Sequence, residues 1–428
     1  MRVFMLGWEF PPYISGGLGT ACYGLTKALD QLGVEITFVL PSVVPSQYAT
    51  HVKLLGPGMD PNKTRFKTRS MRKVRFRAIS SPLRPYMTGE SYQQRIEQSL
   101  AQIRAAHGRV GQITKRLDYS GDMYKEVQRY AELAVKLAAE EEFDVIHAHD
   151  WMTYPAGVAV AKASGKPLIV HVHSTDFDRS GEHVNQMIYD IERMGMHAAD
   201  KVIAVSYMTR NVIISRYGVS GNKVEVVYNG VERNGGGNGS ANGTKIKRDE
   251  KVVLFLGRIT MQKGPDYFLR AAKKVLEKMD NVKFVMAGSG DMMHQAVEMA
   301  AGLGIGSKVL FTGFLRGEDV GRIYKMADLY VMPSVSEPFG IAPLEALDND
   351  VPVIISKQSG VSEVIKHALK VDFWDVDDIA NKIVAVLKYP SLGATLRNHG
   401  NYEVRKLRWQ DSAQRCVKIY EELLVGAV

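Results

Sequence analysis

Cysteine is scarce in this 428-residue chain, which carries only Cys22 and Cys416. Two thiols build neither a disulfide framework nor a thiolate metal cluster, and they suit a reducing compartment. Long apolar runs are missing as well. No stretch approaches the ~20 residues that a bilayer span requires. The opening run from Val3 to Trp8 is too short for a secretory core and is followed at once by Glu9-Phe-Pro-Pro. A cytoplasmic protein is expected. Acidic residues are absent from Pro61 to Gly89, where nine Lys or Arg fall between Lys63 and Arg84. The formal net charge is +9, which points to anionic partners without choosing among a nucleotide, nucleic acid and an acidic membrane.

What is present is a 45% hydrophobic complement, enough at this length for two sizeable α/β cores. Residues 1–7 read as a strand, 11–19 as a loop, 20–32 as a helix ended by Gly33, and 34–40 as a second strand. Gly16, Gly17 and Gly19 of that βαβ unit stand at a helix N-terminus, where free N–H groups suit a phosphate. Their spacing is not GxGxxG, and a plain tight turn explains them too. The segment Lys73-Val-Arg-Phe-Arg77 alternates like a half-exposed strand. Its basic run is either a solvated face or an edge offered to an anionic lipid surface. Residues 93–142 are polar and helical, and read as exposed helices or an excursion from the sheet.

Two buried strands come next, at 143–151 and 167–173, and each ends in polar residues. His147, His149, Asp150 and Trp151 belong to the first; His171, His173 and Ser174 belong to the second. Four histidines raise a metal hypothesis. However, HxH within an otherwise apolar strand fits core or substrate-contacting rings better than zinc. His147 and His171 are expected in the core, and His149 and His173 at a functional rim. Further strands at 200–206 and 223–230 close this half. Residues 234–244 are Gly, Asn, Ser, Ala and a final Thr, a flexible linker by composition. The expected division is an N-terminal domain at 1–231, a linker at 232–250 and a second domain at 251–409. An amphipathic helix at about 410–428 would cross back to brace the first.

The second half restarts the alternation. A strand at 252–257 leads into Arg258-Ile-Thr-Met-Gln-Lys-Gly264 and a helix opened by Pro265. Arg258 and Lys263 bracket that loop. Two cations so placed would stabilise the charge on a departing diphosphate, although two loop cations also occur by chance. Strands at 282–288, 308–313, 329–333 and 351–356 end in small or polar residues on one rim. The third enters Glu337-Pro-Phe-Gly-Ile-Ala-Pro-Leu-Glu345, a strand-to-helix turn of the kind where open α/β sheets bind ligands. Gly340 permits close backbone approach, and the N–H groups near Ile341 would face an anion. At the helical rise of about 1.5 Å per residue, the eight positions from Glu337 to Glu345 would span roughly 12 Å, the length of a nucleotide sugar. The plain alternative for both carboxylates is solvation beside a helix dipole.

Together, GGLG, HAHDW, VHVHS, GRITMQKG, GSG and EPFGIAPLE resemble the retaining GT-B glycosyltransferases, the glycogen-synthase-like branch of the family 4 type, over essentially the whole chain. The resemblance implies two Rossmann-like domains facing a cleft. Arg258 and Lys263 would bind the diphosphate, Glu345 the ribose and Glu337 the donor sugar. Gly16, Gly17, Gly340 and Ile341 would line the nucleotide site. His173 would sit by the sugar's C6 side, and His149, Asp150 and Trp151 toward the acceptor. No metal, no nucleic-acid partner and no protein nucleophile are expected, since the leaving phosphate would take the acceptor's proton. One departure is Ile14, where ADP-glucose-type starch and glycogen synthases carry a lysine before the paired glycines.

Three functions compete. The first is hexose transfer, as glucose from UDP- or ADP-glucose, to an α-glucan. The second uses a lipid-linked or envelope glycan as acceptor, with the basic run touching the inner membrane face. The third is a non-catalytic sugar-nucleotide-binding protein.

Overall fold

The computed structural model describes residues 1–10, 16–40, 73–78, 123–232 and 250–426. The 232–250 linker and the basic run therefore lie mostly outside the described residues. Apolar runs of four to six residues, too short for helices, pair in parallel. The first sheet holds β1 (Arg2–Leu6), β2 (Glu35–Leu40), β3 (Val74–Ala78), β4 (Val145–His149), β5 (Leu168–Val172), β6 (Lys201–Ala204) and β7 (Val224–Val226) in the order β3-β2-β1-β4-β5-β6-β7. The second holds β8 (Lys251–Leu256), β9 (Val282–Ala287), β10 (Val309–Gly313), β11 (Leu329–Met332), β12 (Val353–Ser356) and β13 (Leu369–Val371) in the order β10-β9-β8-β11-β12-β13. Each order reverses once, between β1 and β4 and between β8 and β11. Loops diverge at such switch points and leave a crevice at the carboxyl ends of the strands. This is the two-Rossmann-domain α/β architecture expected from the alternation.

The last helix, Trp409–Val425, does cross back onto the first sheet's domain. It packs on helix Gly17–Gln31, where a Cβ on Gly24 would overlap the Trp409 indole. Its Cys416, Ile419 and Tyr420 are buried in the first core, and each fully buried large side chain contributes roughly 1.5–3 kcal/mol. The chain passes between domains twice at one place, with Val231 bridged to Arg408.

One expectation needs correction, and one strand escaped the sequence reading. Within 93–142, the described helix Met123–Ala138 is not an exposed excursion: Met123, Val127, Tyr130, Ala131, Ala134 and Ala138 make one apolar face that is buried in the first core. The charges occupy the other face, so composition alone concealed a 3.6-residue period. Strand β13, three residues with Lys370 at its centre, carried no readable apolar run. Strand β3 is the sheet edge, as expected, and its Arg75 and Arg77 pair with Glu141 at 3.3 and 2.6 Å.

Candidate active site

The loops at both switch points open onto one cleft of about 900 Å³ between the two sheets. Gly16, Gly17, Asp150 and His173 line it from the first domain; Arg258, Lys263, Glu337, Gly340, Ile341 and Glu345 line it from the second. Arg258, Lys263, Glu337 and Glu345, spread along the chain from position 258 to position 345, therefore share one gap.

The second-domain wall is built from adjacent loops. After β8, Arg258 donates to Gln262 Oε1 at 3.1 Å. A short 3-10 turn, Met261–Lys263, then ends on Gly264 at φ 66°, where any Cβ would overlap the Pro333 carbonyl. Glycine is needed there for both reasons. Across the switch point, the loop after β11 returns the contact through Val335 N–H to the Gln262 carbonyl at 2.9 Å. This brings the Lys263 ammonium against the Glu337 carboxylate, which is 7% exposed. Backbone bonds to Gln358 and Gly360 hold Glu337 itself at 2.9 Å each. Gly340 caps helix Ile341–Asp348 at φ 104°. One turn into that helix, Glu345 accepts a hydrogen bond from Tyr324 at 3.0 Å. Burial pushes its carboxyl above the ordinary range, and the Tyr324 bond partly opposes that. Phe314, exposed at the mouth, carries the Arg316 guanidinium 5.2 Å above its ring, and both face the cleft.

The first-domain wall differs. Asp150, after β4, sits at φ 59° and ψ 168°, a conformation that costs a non-glycine residue about 1–3 kcal/mol. Its carboxylate offsets the strain by accepting from the backbone N–H groups of His173 at 2.7 Å and Ser174 at 3.4 Å. It therefore sets the turn after β5. Burial raises its pKa to about 7. The four histidines form one stacked array on a single sheet face. Tyr420 OH meets His147 Nδ1 at 2.6 Å, His147 Nε2 meets His171 Nδ1 at 3.2 Å, and His149 Nδ1 meets His173 Nε2 at 2.9 Å. Burial lowers His147 and His173 to about 3 and holds the other two well below the usual value, so all four rings are neutral.

Two acceptor-side expectations fail on placement. His149 is fully buried behind the wall with its ring stacked on His147, and Trp151 is buried against Tyr124 on a 3-10 turn. Neither lines the cleft. Two-residue alternation keeps His149 on the face of His147, so its place near the strand end does not expose it. Cys22 offers a ligand atom within 4.8 Å of His149 and His173. Burial holds its thiol well above its ordinary pKa, and the two rings already pair with each other, which favours a hydrogen-bonded stack over a thiolate site. Position along the sequence did not reveal Tyr324 and Gln262, which orient Glu345 and Arg258, or the Phe314–Arg316 platform. The one signal for that platform was its place just past a strand end.

Residues 90–234 match the family model described as Glycosyltransferase Family 4, and residues 240–403 match Glycosyl transferases group 1. An uncharacterized glycosyltransferase of Methanocaldococcus jannaschii is 29% identical over 98% of this chain and 98% of its own. A glycogen synthase of Mycobacterium tuberculosis is 22% identical over 98% and 94%. HepE of Anabaena, solved with UDP-glucose, superposes with a TM-score of 0.71 at 17% identity over 99% of this chain and 100% of its own, a likeness of fold. With both halves matched and the two-sheet architecture shared, the chain belongs to the GT-B glycosyltransferases.

Proposed function

We propose that the chain transfers a hexose, as glucose from a uridine or adenosine diphosphate sugar, to an α-glucan with retention of configuration. The carrying observation is the convergence of Arg258, Lys263, Glu337 and Glu345 on one cleft. Arg258 and Lys263 hold the diphosphate and take up the charge it gains on departure, the part a divalent ion plays elsewhere. Glu337 accepts from donor sugar hydroxyls. Glu337 pairs with Lys263, so a donor would replace one ionic contact with others and leave no buried charge alone. Glu345, steadied by Tyr324, accepts from the ribose. Exposed Gly17, at a helix N-terminus with nothing within 4 Å of a built Cβ, leaves room for phosphate to reach its N–H. The C1–phosphate bond breaks, the C1–acceptor oxygen bond forms on the same face, and the acceptor's proton goes to the leaving phosphate. Asp150 lines the cleft but is engaged by two backbone N–H groups, consistent with a role in positioning.

Arg316 at the cleft mouth offers only hydrogen-bond donors, which both uracil carbonyls and adenine ring nitrogens can accept, whereas the similar HepE structure was solved with UDP-glucose. UDP-glucose is therefore the first donor to test. Incubation with UDP- or ADP-glucose and a malto-oligosaccharide should release nucleoside diphosphate and yield an α-linked product by NMR. No release with any of a panel of sugar nucleotides would reject the reading. Turnover only with a lipid-linked acceptor would replace the glucan by an envelope glycan.

A further inference from the structure

The turn that carries His173 and Ser174 rests on buried charges that the transfer chemistry does not use. Thr175 opens the short helix Asp176–Ser180 through a capping box. Asp178 Oδ2 accepts from Thr175 N–H at 2.7 Å and from its hydroxyl at 2.8 Å. Behind it, Arg179 donates to the Ser174 hydroxyl at 2.7 Å and pairs with Glu192 at 2.6 Å and Asp176 at 3.4 Å. Thr175, Asp176, Asp178 and Glu192 are all nearly inaccessible. A buried network this complete resists movement of the turn above it.

Asp178 has a second contact. Its Oδ1 accepts from the Ser336 hydroxyl at 2.6 Å, 158 positions along the chain and in the other domain. Ser336 immediately precedes Glu337, and helix Asp176–Ser180 also abuts the Met261–Lys263 turn. One carboxylate thus ties the His173 turn through one oxygen and the Glu337 turn through the other. We propose that the Asp178–Ser336 hydrogen bond is a latch across the cleft, and that both are positioning residues that set His173 in register with Lys263 and Glu337. A different contact serves the hinge. Glu363 accepts from Tyr207 N–H at 2.9 Å, Met208 N–H at 2.8 Å and Tyr228 OH at 2.9 Å. Tyr228 of that cluster lies three residues before the double crossover at Val231 and Arg408. The Thr209 hydroxyl also donates to the Pro338 carbonyl at 3.3 Å, between that cluster and the latch, so the domains swing about the Tyr207–Thr209 side while the Asp178–Ser336 bond, on the far side of Glu337, parts.

For turnover the inference rests on the transferase reading; for shape it does not. Ser336→Ala removes only the cross-domain bond and leaves the Asp178 capping box intact. Small-angle scattering of the unliganded full chain should show a larger radius of gyration for S336A than for the parent. With UDP-glucose, kcat should fall about tenfold while UDP affinity by titration stays within about twofold, since misregister harms the transition state more than ground-state binding. Ser336→Thr keeps the hydroxyl and should restore both. In a D178N/S336A double variant, the second change should add nothing to the widening. Unchanged scattering and unchanged kcat in S336A would overturn the latch. So would equal losses of kcat, UDP affinity and thermal midpoint, which mark a merely structural residue. If the parent turns over no sugar nucleotide, the transferase reading fails, while the scattering comparison still decides the latch.

Discussion

The two walls of the cleft solve opposite problems with similar residue types. On the first-domain side, four rings and a tyrosine hydroxyl are packed into the sheet, paired with one another and kept neutral by burial. On the second-domain side, full charges stand at the mouths of neighbouring loops, each with a partner that a substrate can replace: Lys263 with Glu337, Arg258 with Gln262, Glu345 with Tyr324. A polar group in a dry wall must be neutral, and although the rings pair with one another, His149 Nε2, His171 Nε2 and His173 Nδ1 are buried without a hydrogen-bond partner among the described residues. A group that must hold a diphosphate needs its charge and a way to exchange its contacts. On the proposed reading, the second domain would be the side that grips the donor, and the first the surface set against it.

The contrast is broken most severely at the charged wall. Lys263→Ala should lower nucleoside diphosphate release by about 10²–10³-fold, the scale of losing one preorganised charge-stabilising group. Glu337→Ala should match it in turnover while largely sparing UDP binding by titration, and undiminished turnover would remove Glu337 from the proposed role.

The neutral wall should fail by pH instead. His147 and His173 fall to about 3 in the folded protein, against about 6.5 when unfolded. Between those values the unfolded chain binds more protons, so stability declines as pH falls through that window. At pH 5 the loss is about 2 kcal/mol per ring. Asp150, raised to about 7, acts in the other direction, because the folded state keeps a proton that the unfolded state releases above about pH 4. Glu192 and Glu345, also raised by burial, act with Asp150, so three carboxyls oppose four rings, and the expected net change is a loss. Urea midpoints at pH 7.5 and 5 measure it. His147→Gln should lower stability at pH 7.5 yet shrink the drop on acidification.

A backbone test sits between the two walls. Gly264→Ala forces a side chain into a positive-φ site against the Pro333 carbonyl, which should cost about 2 kcal/mol and displace Lys263. The unfolding midpoint and the KM for the donor should both change. The mildest change is Tyr324→Phe, which strips one hydrogen bond from Glu345. About 1 kcal/mol is expected, read as a severalfold rise in donor KM with kcat nearly constant. Equal loss in kcat would mean that Tyr324 does more than orient Glu345.

Much of this site was legible in one dimension, for reasons particular to parallel sheets. Strands buried on both faces appear as short apolar runs, and the residues just past the end of each run lie on the binding rim. Arg258, Lys263, Glu337, Glu345, Asp150 and His173 could therefore all be nominated by position. His149 and Trp151 show where that rule stops, since the end of a strand does not say which way a side chain turns. The helix Met123–Ala138 shows that a heavily charged segment can still bury one face.

The sequence by itself determined the alternation of strands and helices, the two-domain plan and the kinds of groups at each strand end, because local periodicity and turn chemistry encode them. Tertiary structure alone decided which loops became neighbours. Lys263 meets Glu337 because β8 and β11 flank a switch point, His147 meets Tyr420 because the last helix returns across the first domain, and Asp178 reaches Ser336 because the sheets face each other. Those contacts join residues 74 to 273 positions apart, and no pattern of local spacing carries information over that distance.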